Sequence, residues 1–258
     1  MQVDVLLDTF GVAWDDVRDA AVAAADGGFN GIWVFDHVDG RVYDAPHVLE
    51  GWTILSALAV AVPGVMLGPM VLNVANRPPG IVAGMAATLQ DVSGGRLLLG
   101  LGAGARAGTP YAREQQTIGQ RVLRDEQRRR QVERSIADIR RLWRLPGFLH
   151  PVPEPPVIVA AHGEKMADLA GRRADGITLP ASHPRLRELV EVARDSRRRA
   201  GGEQLLVTVL AQLEDPWLDP DSSGRQRLTA VGVDRVVLLV PLPADPARLT
   251  VPGVRLRR

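Results

Sequence analysis

The chain has 258 residues, of which 46% are apolar and 24% are charged. That length is near the upper size at which one hydrophobic core keeps growing, so we expect a single domain over residues 1–258. The composition is that of a globular protein and excludes a disordered or collagen-like chain. The absence of cysteine excludes disulfides, thiolate catalysis and thiolate-bound metals. A net charge of +1, from 31 basic and 30 acidic residues, argues against nucleic acid or an anionic membrane as a partner.

The first eight residues contain two carboxylates and no basic residue, which is not typical of a signal peptide, so we expect a cytoplasmic protein. One stretch is long enough to span a bilayer, because no charged side chain occurs from Gly51 to Asn76. Pro63-Gly64 and Gly68-Pro69 interrupt it, and such pairs mark turns. We therefore predict a helix, a turn and a buried strand here, and no membrane span.

Short apolar runs of strand length alternate with longer amphipathic stretches, which is the pattern of βα units around a parallel sheet. Strands that are buried on both faces have continuous apolar sequences. Eight segments fit that description: Val3–Asp8, Gly31–Asp36, Val65–Val74, Arg96–Gly102, Val157–Ala161, Gly176–Leu179, Leu205–Leu213 and Arg235–Val240. Eight such strands predict an α/β fold of the (β/α)8 TIM-barrel type, with an open doubly wound sheet as the main alternative.

Helical periodicity predicts helices at Trp14–Ala25, Val48–Val62, Pro79–Val92, Ile118–Leu145, Lys165–Arg173 and His183–Ala200. The pattern weakens near the C-terminus, where only a fragment around Arg225–Ala230 precedes the last strand. A proline-rich tail follows that strand, with Pro241, Pro243, Pro246 and Pro252. We therefore predict a barrel trimmed at its C-terminal end, with the last outer helix missing or replaced by this tail. The uncovered apolar surface then favours a homodimer that buries the face near the tail.

Catalytic groups of a TIM barrel lie at the carboxyl ends of its strands. The sharpest candidate there is His37, because an imidazole can titrate near neutral pH and the Asp36 carboxylate precedes it at a strand end. Further polar side chains follow the second and fourth strands, and we expect these to contact a substrate: Tyr43, His47, Arg106 and Tyr111. No two of the five histidines are at ligand spacing on one helix, so no metal site is predicted.

Two glycine-containing segments follow the fourth and fifth strands. Residues 100–105 match the G-x-G-x-x-G/A pattern of dinucleotide sites, but no helix is predicted directly after them, so we interpret them as a loop that lets a ligand approach the backbone. His162-Gly163-Glu164-Lys165 leads from a strand to a helix start, whose free amides favour a phosphate. Lys165, the only lysine, opposes the helix dipole there unless an anion is present. Since nucleophile-elbow, P-loop and zincin motifs are lacking, we expect a cofactor to carry the chemistry.

Four segments resemble the luciferase-like monooxygenase superfamily, in particular its branch that uses the deazaflavin coenzyme F420. They are residues 28–37, Asn73-Val74 with Arg77-Pro78-Pro79, residues 93–104 and Ala174-Asp175-Gly176. The similarity runs in order along essentially the whole chain. It implies one luciferase-like TIM-barrel domain that acts as an oxidoreductase on a small-molecule substrate, with the cofactor ring in the barrel mouth.

The resemblance also implies roles for individual residues. His37 would orient the reacting group or protonate it, and Asp36 would contact the cofactor. Asn73 and Val74 occupy the region in which relatives have a non-proline cis peptide that supports the ring. The remaining cofactor contacts would be Ala103 and Gly104 for the ring or ribityl chain, and His162, Gly163, Lys165 and Met166 for the phosphate.

Two departures from the family pattern narrow the function. Sugar-phosphate dehydrogenases of the family carry a glutamate proton donor directly after the glycine-rich loop, where this chain has Ala105. Relatives also end in a helix that covers the barrel beside the last strand, whereas the proline-rich tail of this chain predicts no such helix. Three functions stay open: hydride transfer with coenzyme F420, which we favour, an FMN-dependent monooxygenase, and a cofactor-free barrel that serves as a structural or regulatory subunit.

Overall fold

Parallel strands pair around a ring in the computed structural model, which describes residues 1–249. The strands are β1 (Gln2–Leu7), β2 (Gly31–Val34), β3 (Met66–Pro69), β4 (Leu72–Asn73), β5 (Leu99–Gly102), β6 (Val157–Ala160), β7 (Gly176–Pro180), β8 (Leu206–Gln212) and β9 (Arg235–Val240). Their order is β3-β2-β1-β9-β8-β7-β6-β5-β4, and a parallel bridge between Leu67 and Leu97 closes the ring.

The third predicted strand, Val65–Val74, is divided into β3 and β4 at the cis peptide bond Met70–Val71. β3 pairs with β2 and β4 pairs with β5, so these two segments share one position of the barrel. Nine strands therefore occupy eight positions, which confirms the predicted TIM barrel. The family resemblance implied a cis peptide bond in the region of Asn73 and Val74, and the observed bond lies three residues earlier.

Helices follow most strands and cover the outside of the ring. They are α1 (Trp14–Asp26), α2 (Gly51–Ala61), α3 (Pro79–Ser93), α4 (Pro110–Thr117), α5 (Asp125–Trp143), α6 (Glu164–Arg173), α7 (Leu186–Arg199), α8 (Asp215–Leu218) and α9 (Ser223–Val231), with short 3-10 helices at Gly40–Tyr43 and Pro246–Arg248. As predicted, residues 51–76 form a helix, a turn and strand segments, and no helix among residues 1–249 has the length and apolar character needed to cross a bilayer.

The predicted helix Ile118–Leu145 is wrong at its N-terminal end, because α5 begins only at Asp125. A separate helix, α4, precedes it and was not predicted. Its start carries ordinary signals: the Thr109 hydroxyl accepts a hydrogen bond from the Ala112 amide at 3.3 Å, and Pro110 occupies the first turn. Gly119 follows the end of α4 in a left-handed conformation with φ of 79°, which breaks the helical path toward α5.

Apolar side chains form two layers, one inside the ring and one between the ring and the helices. The inner layer consists of Leu6, Trp33, Met70, Leu98, Ile158 and Val237. At the amino end of the strands, Asp4 is fully buried, and its carboxylate accepts hydrogen bonds from Trp33 Nε1 at 2.9 Å and from Arg235 at 2.7 Å. The barrel is thus filled from within, and the Asp4 carboxylate at its amino end is paired with Arg235 and Trp33.

The proline-rich tail replaces an outer helix after β9 over the described residues 241–249, as predicted. Leu249 is 1% exposed and belongs to the outer apolar layer. Its carbonyl oxygen approaches α1 so closely that a Cβ atom at Gly27 would lie 1.8 Å away, so glycine is required there. Pro252 lies outside the described residues. The homodimer that was expected at the face near this tail stays a prediction.

Glu133 connects the outer helices α5 and α6 through ion pairs. Its carboxylate accepts hydrogen bonds from Arg173 Nε at 3.0 Å and from Arg172 at 3.2 Å, both at the end of α6. The hydrogen bond from Arg173, assisted by Arg172, lowers the pKa of Glu133 below its ordinary value. A carboxyl whose pKa is lowered in the folded state stabilises the fold above its unfolded pKa, and that contribution is lost as the pH falls through the folded value.

We therefore expect the melting temperature of the wild type to fall on acidification from about pH 6 to about pH 3. In Glu133→Gln the fall should be smaller by a few degrees, because a partly exposed ion pair contributes less than about 1 kcal/mol. Calorimetry across this pH range measures the difference. The exposed Glu126→Gln serves as a control for the loss of one carboxyl. An equal acid dependence in wild type and Glu133→Gln would contradict the assignment.

Candidate active site at the barrel mouth

A cavity of about 390 Å³ opens at the carboxyl ends of the strands. Ten of the residues predicted for the site line it: Asp36, His37, Tyr43, Asn73, Ala103, Gly104, Tyr111, His162, Gly163 and Met166. Phe35, Met70 and Val71 add apolar surface, and Glu114 and Arg128 add charge. The sequence therefore predicted the position of the mouth, but it did not predict the charged residues Glu114 and Arg128 that also line it.

His37 follows β2 and is held by a carboxylate from α4. Its Nδ1 lies 2.8 Å from Glu114 Oε2, with side-chain exposures of 14% for His37 and 7% for Glu114. The second oxygen, Glu114 Oε1, accepts hydrogen bonds from the backbone amides of Val38 at 2.6 Å and Asp39 at 3.1 Å. One carboxylate thus fixes both the imidazole ring and the loop that carries it.

Aromatic rings surround the His37 imidazole. Tyr111 stacks on it at 5.6 Å between ring centroids with an interplanar angle of 24°, and Phe10 and Phe35 lie at 5.3 Å and 5.8 Å. The hydroxyls of Tyr43 and Tyr111 are hydrogen-bonded at 2.9 Å. Burial and this hydrogen bond raise the pKa of Tyr43, so its side chain remains a neutral phenol that can donate a hydrogen bond.

Asp36 lines the cavity, but its carboxylate is committed to the protein. Arg77 contacts both of its oxygens at 2.8 Å and 2.9 Å, and the backbone amide of Asn73 donates to Oδ2 at 2.7 Å. Arg77 is shared with Glu50, the residue that precedes α2. Burial raises the pKa of Asp36, and the Arg77 guanidinium opposes that rise. Asp36 is thus a buried residue of the mouth whose carboxylate is occupied by contacts within the protein.

The glycine-rich loop after β5 is held by the residue next to Glu114. Gln115 Oε1 accepts hydrogen bonds from the Ala105 amide at 3.1 Å and from Asn73 Nδ2 at 3.3 Å, while its own amide donates to the Arg121 carbonyl at 2.6 Å. Gly104 has φ of 72°, and a Cβ atom there would lie 2.4 Å from Asn73 Oδ1. Only glycine fits this close approach, so the loop presents its backbone to the cavity.

A second cavity of about 400 Å³ adjoins the first at the start of α6. The two cavities share Ala103, Arg128, Gly163 and Met166 and are therefore adjacent. We call the pair the trough, whose outer end is lined by Lys165. Gly163 caps α6 with no side-chain hydrogen bond. The Met166 amide already donates to the Gly163 carbonyl at 3.0 Å, so the amides of Glu164 and Lys165 are the ones of the first turn that can bind an anion.

Cations in this trough are arranged around the shared boundary. Arg128 donates to the Gly104 carbonyl at 2.6 Å and to Asp125 at 2.9 Å, whereas its buried Nε has no partner among residues 1–249. His162 lies 6.4 Å from His183, ring to ring, and burial together with that neighbour lowers its pKa. A neutral His162 leaves Lys165, Arg128, Arg129 and the helix start as the positive groups of this end, which the carboxylates of Asp125 and Glu164 also line.

Comparison with known proteins places the chain in a family. Residues 1–213 match the luciferase-like monooxygenase family. This chain is a member of that family. The F420-dependent secondary alcohol dehydrogenase solved with an F420-acetone adduct has the same fold as this luciferase-like chain, with a TM-score of 0.79 at 18% identity over 97% of this chain and 96% of that one.

Two relatives of known activity are similar to this luciferase-like protein over much of its length. The 5,10-methylenetetrahydromethanopterin reductase of Methanolobus tindarius is 29% identical, covering 74% of this chain and 58% of that protein. The F420-dependent glucose-6-phosphate dehydrogenase of Nakamurella multipartita is 28% identical, covering 72% of this chain and 59% of that protein. The chain thus spans less than two thirds of the length of these relatives.

Three predicted site residues of the luciferase-like barrel lie away from the trough. His47 is exposed and its Nε2 contacts the Val12 carbonyl at 3.1 Å. Arg106 lines a separate surface depression with residues 122–126. Val74 is 3% exposed, and its side chain packs in the outer apolar layer. Near the mouth lies its backbone amide, which donates to the Gly102 carbonyl.

Sequence reasoning missed four residues that organise the mouth: Arg77, Glu114, Gln115 and Arg128. Arg77 belongs to a segment already noted for its family resemblance, so its position was visible although its ion pair was not. Glu114 and Gln115 lie on the unpredicted helix α4. Their only sequence signal is the Thr109-Pro110 helix start, which predicts a helix directly after the glycine-rich loop.

Proposed function

We propose that this protein is an oxidoreductase that binds coenzyme F420 in the trough at the barrel mouth and uses it for hydride transfer to or from a small organic substrate. The observation that carries the proposal is the trough itself. It joins a histidine-containing chamber, lined by His37 and the rings of Phe35, Tyr43 and Tyr111, to an anion-binding helix start, and Arg128 lines the boundary between them. A flat apolar ring on a phosphate-bearing arm is the kind of ligand that such a shape accommodates.

The residues of the trough fit this cofactor in charge and shape. Met70, Val71 and the backbone at Ala103 and Gly104 offer an apolar, closely approachable surface to a ring. The amides at the start of α6 and the Lys165 ammonium offer donors to a phosphate. When it is bound, the cofactor supplies or accepts the hydride. The relatives of known activity support coenzyme F420 over FMN, because both of them and the structural neighbour are coenzyme F420 or tetrahydromethanopterin enzymes by name.

The chain's own residues handle the proton that accompanies hydride transfer. His37 is the one imidazole among the described residues that combines a fixed orientation with a place in the aromatic chamber. Its Nε2, the ring atom opposite Glu114, takes up or releases the substrate proton. The phenols of Tyr43 and Tyr111 cover the chamber, limit the access of water and can donate a hydrogen bond to a substrate oxygen.

Binding measurements test the proposal directly. We expect saturable binding of coenzyme F420 by fluorescence, weakened about 3- to 10-fold in Lys165→Ala because one exposed charge-assisted contact is lost. Arg106→Ala is the matched control, since it removes a cation outside the trough and should leave the affinity unchanged. Tight binding of FMN alone would overturn the cofactor assignment in favour of a monooxygenase. Binding of neither would favour the cofactor-free barrel.

A further inference from the structure

We propose that Glu114 is a positioning residue, which fixes His37 in the tautomer that carries its proton on Nδ1 and presents an unprotonated Nε2 to the barrel mouth. This inference rests on the proposed function only for its catalytic consequence. The tautomer itself is a property of the protein without any ligand.

The contact that carries the inference is buried and short. Glu114 Oε2 lies 2.8 Å from His37 Nδ1, and the two side chains are 7% and 14% exposed. An ionised carboxylate can only accept hydrogen bonds, so Nδ1 is the donor in this pair. In a neutral imidazole the proton on one nitrogen leaves the other as an acceptor, and the hydrogen bond made by one therefore sets the role of the other.

The carboxylate is itself held in place from two sides. Its Oε1 accepts the amides of Val38 and Asp39, which fixes it to the loop of His37. On the helix, the neighbouring Gln115 is 2% exposed and bonds to the backbone at Ala105 and Arg121. Glu114 therefore cannot turn away from His37 without breaking its hydrogen bonds to the Val38 and Asp39 amides, and the ring is held in one orientation.

Other groups face His37 without competing for its ring nitrogens. Asp8 lies near it at the end of β1, where burial raises the pKa of this carboxyl, and its Oδ1 accepts the Phe10 amide at 3.1 Å. Tyr43 and Tyr111 contact the ring as aromatic neighbours. Among residues 1–249, Glu114 is the one side chain with a hydrogen bond to a His37 ring nitrogen.

The variant Glu114→Gln gives a directional test. The Gln carbonyl can still accept the two backbone amides, which leaves its NH2 group facing His37 Nδ1 as a donor. That arrangement requires an unprotonated Nδ1 and moves the proton to Nε2, the inverse of the wild-type tautomer. The fold and the loop are preserved, so a purely structural role for Glu114 would leave the tautomer unaffected.

The experiment is ¹⁵N NMR of histidine-labelled protein without cofactor, with His37→Ala used to assign the signals. We expect a protonated Nδ1 in wild type, a protonated Nε2 in Glu114→Gln, and a wild-type signature in Glu188→Gln, which changes an exposed carboxylate on α7. In coenzyme F420-dependent turnover we expect kcat of Glu114→Gln to fall about 10²- to 10⁴-fold with little change in KM.

The two proposals fail in different ways. A wild-type His37 protonated on Nε2, or an unchanged tautomer in Glu114→Gln, would overturn the positioning role whatever the activity. The wild-type measurement decides this even when the variant does not fold. An inverted tautomer in Glu114→Gln supports the positioning role also in a protein that shows no turnover with coenzyme F420, and in that case the proposed function alone is overturned.

Discussion

Replacement of His37 by alanine is expected to lower kcat about 10²- to 10⁴-fold, which is the usual contribution of a positioned general acid or base. The imidazole lies in the aromatic chamber, and no other histidine among residues 1–249 has both a place there and a hydrogen-bonded orientation. The fold should survive, because Glu114 still accepts the backbone amides of the loop. Circular dichroism and steady-state turnover with coenzyme F420 measure the two quantities.

His47→Ala is the matched control for this loss. Its ring is exposed and bonds to the Val12 carbonyl outside the trough, so we expect turnover to stay within about a factor of two of wild type. Full activity in His37→Ala would refute the proton-transfer role. A comparable loss in both variants would show that the effect comes from the loop and not from the imidazole at position 37.

Replacement of Arg77 by methionine is expected to lower the free energy of unfolding by about 3–5 kcal/mol, because it leaves the Asp36 carboxylate buried without its partner. The Asp36 side chain is 1% exposed, and Arg77 contacts both of its oxygens. Denaturant unfolding measures the loss. Exposed Arg130→Met, which breaks a surface pair on α5, should cost less than about 1 kcal/mol.

The second substitution Asp36→Asn should restore most of the stability of Arg77→Met. An asparagine oxygen can still accept the Asn73 amide, and the uncompensated charge is gone. A double variant no more stable than Arg77→Met would mean that the loss comes from the packing of the Arg77 side chain or from its pair with Glu50. A single variant as stable as wild type would contradict the ion-pair argument altogether.

The strands and the position of the mouth were predictable from the sequence, because barrel strands are buried on both faces and have continuous apolar sequences. The six predicted helices correspond to observed ones, because their apolar residues recur with helical periodicity. Ile118–Leu145 nevertheless begins seven residues too early. Helix α4 escaped detection because its eight residues, PYAREQQT, are mostly polar and carry little apolar periodicity. Its existence depends on the Thr109 cap and on contacts with distant loops.

The pairings inside the site were not predictable from one sequence. His37 and Glu114 are 77 positions apart, and Asp36 and Arg77 are 41 apart, so nothing local links them. Strand ends indicate which residues lie at the mouth, but loop geometry decides where each side chain points. His47 and Arg106 follow the correct strands and nevertheless lie outside the trough for that reason.

Glu114 and Gln115 are consecutive residues of α4, about 100° apart around its axis, and they bind two different loops. One helix therefore carries the anchors of both the histidine and the glycine-rich segment. A shift of α4 displaces the two together, so a ligand that stabilises the glycine-rich loop also stabilises the position of the histidine. By thermodynamic reciprocity the two events share a single coupling free energy, so ordering of the histidine favours ligand binding at the glycine-rich loop to the same degree.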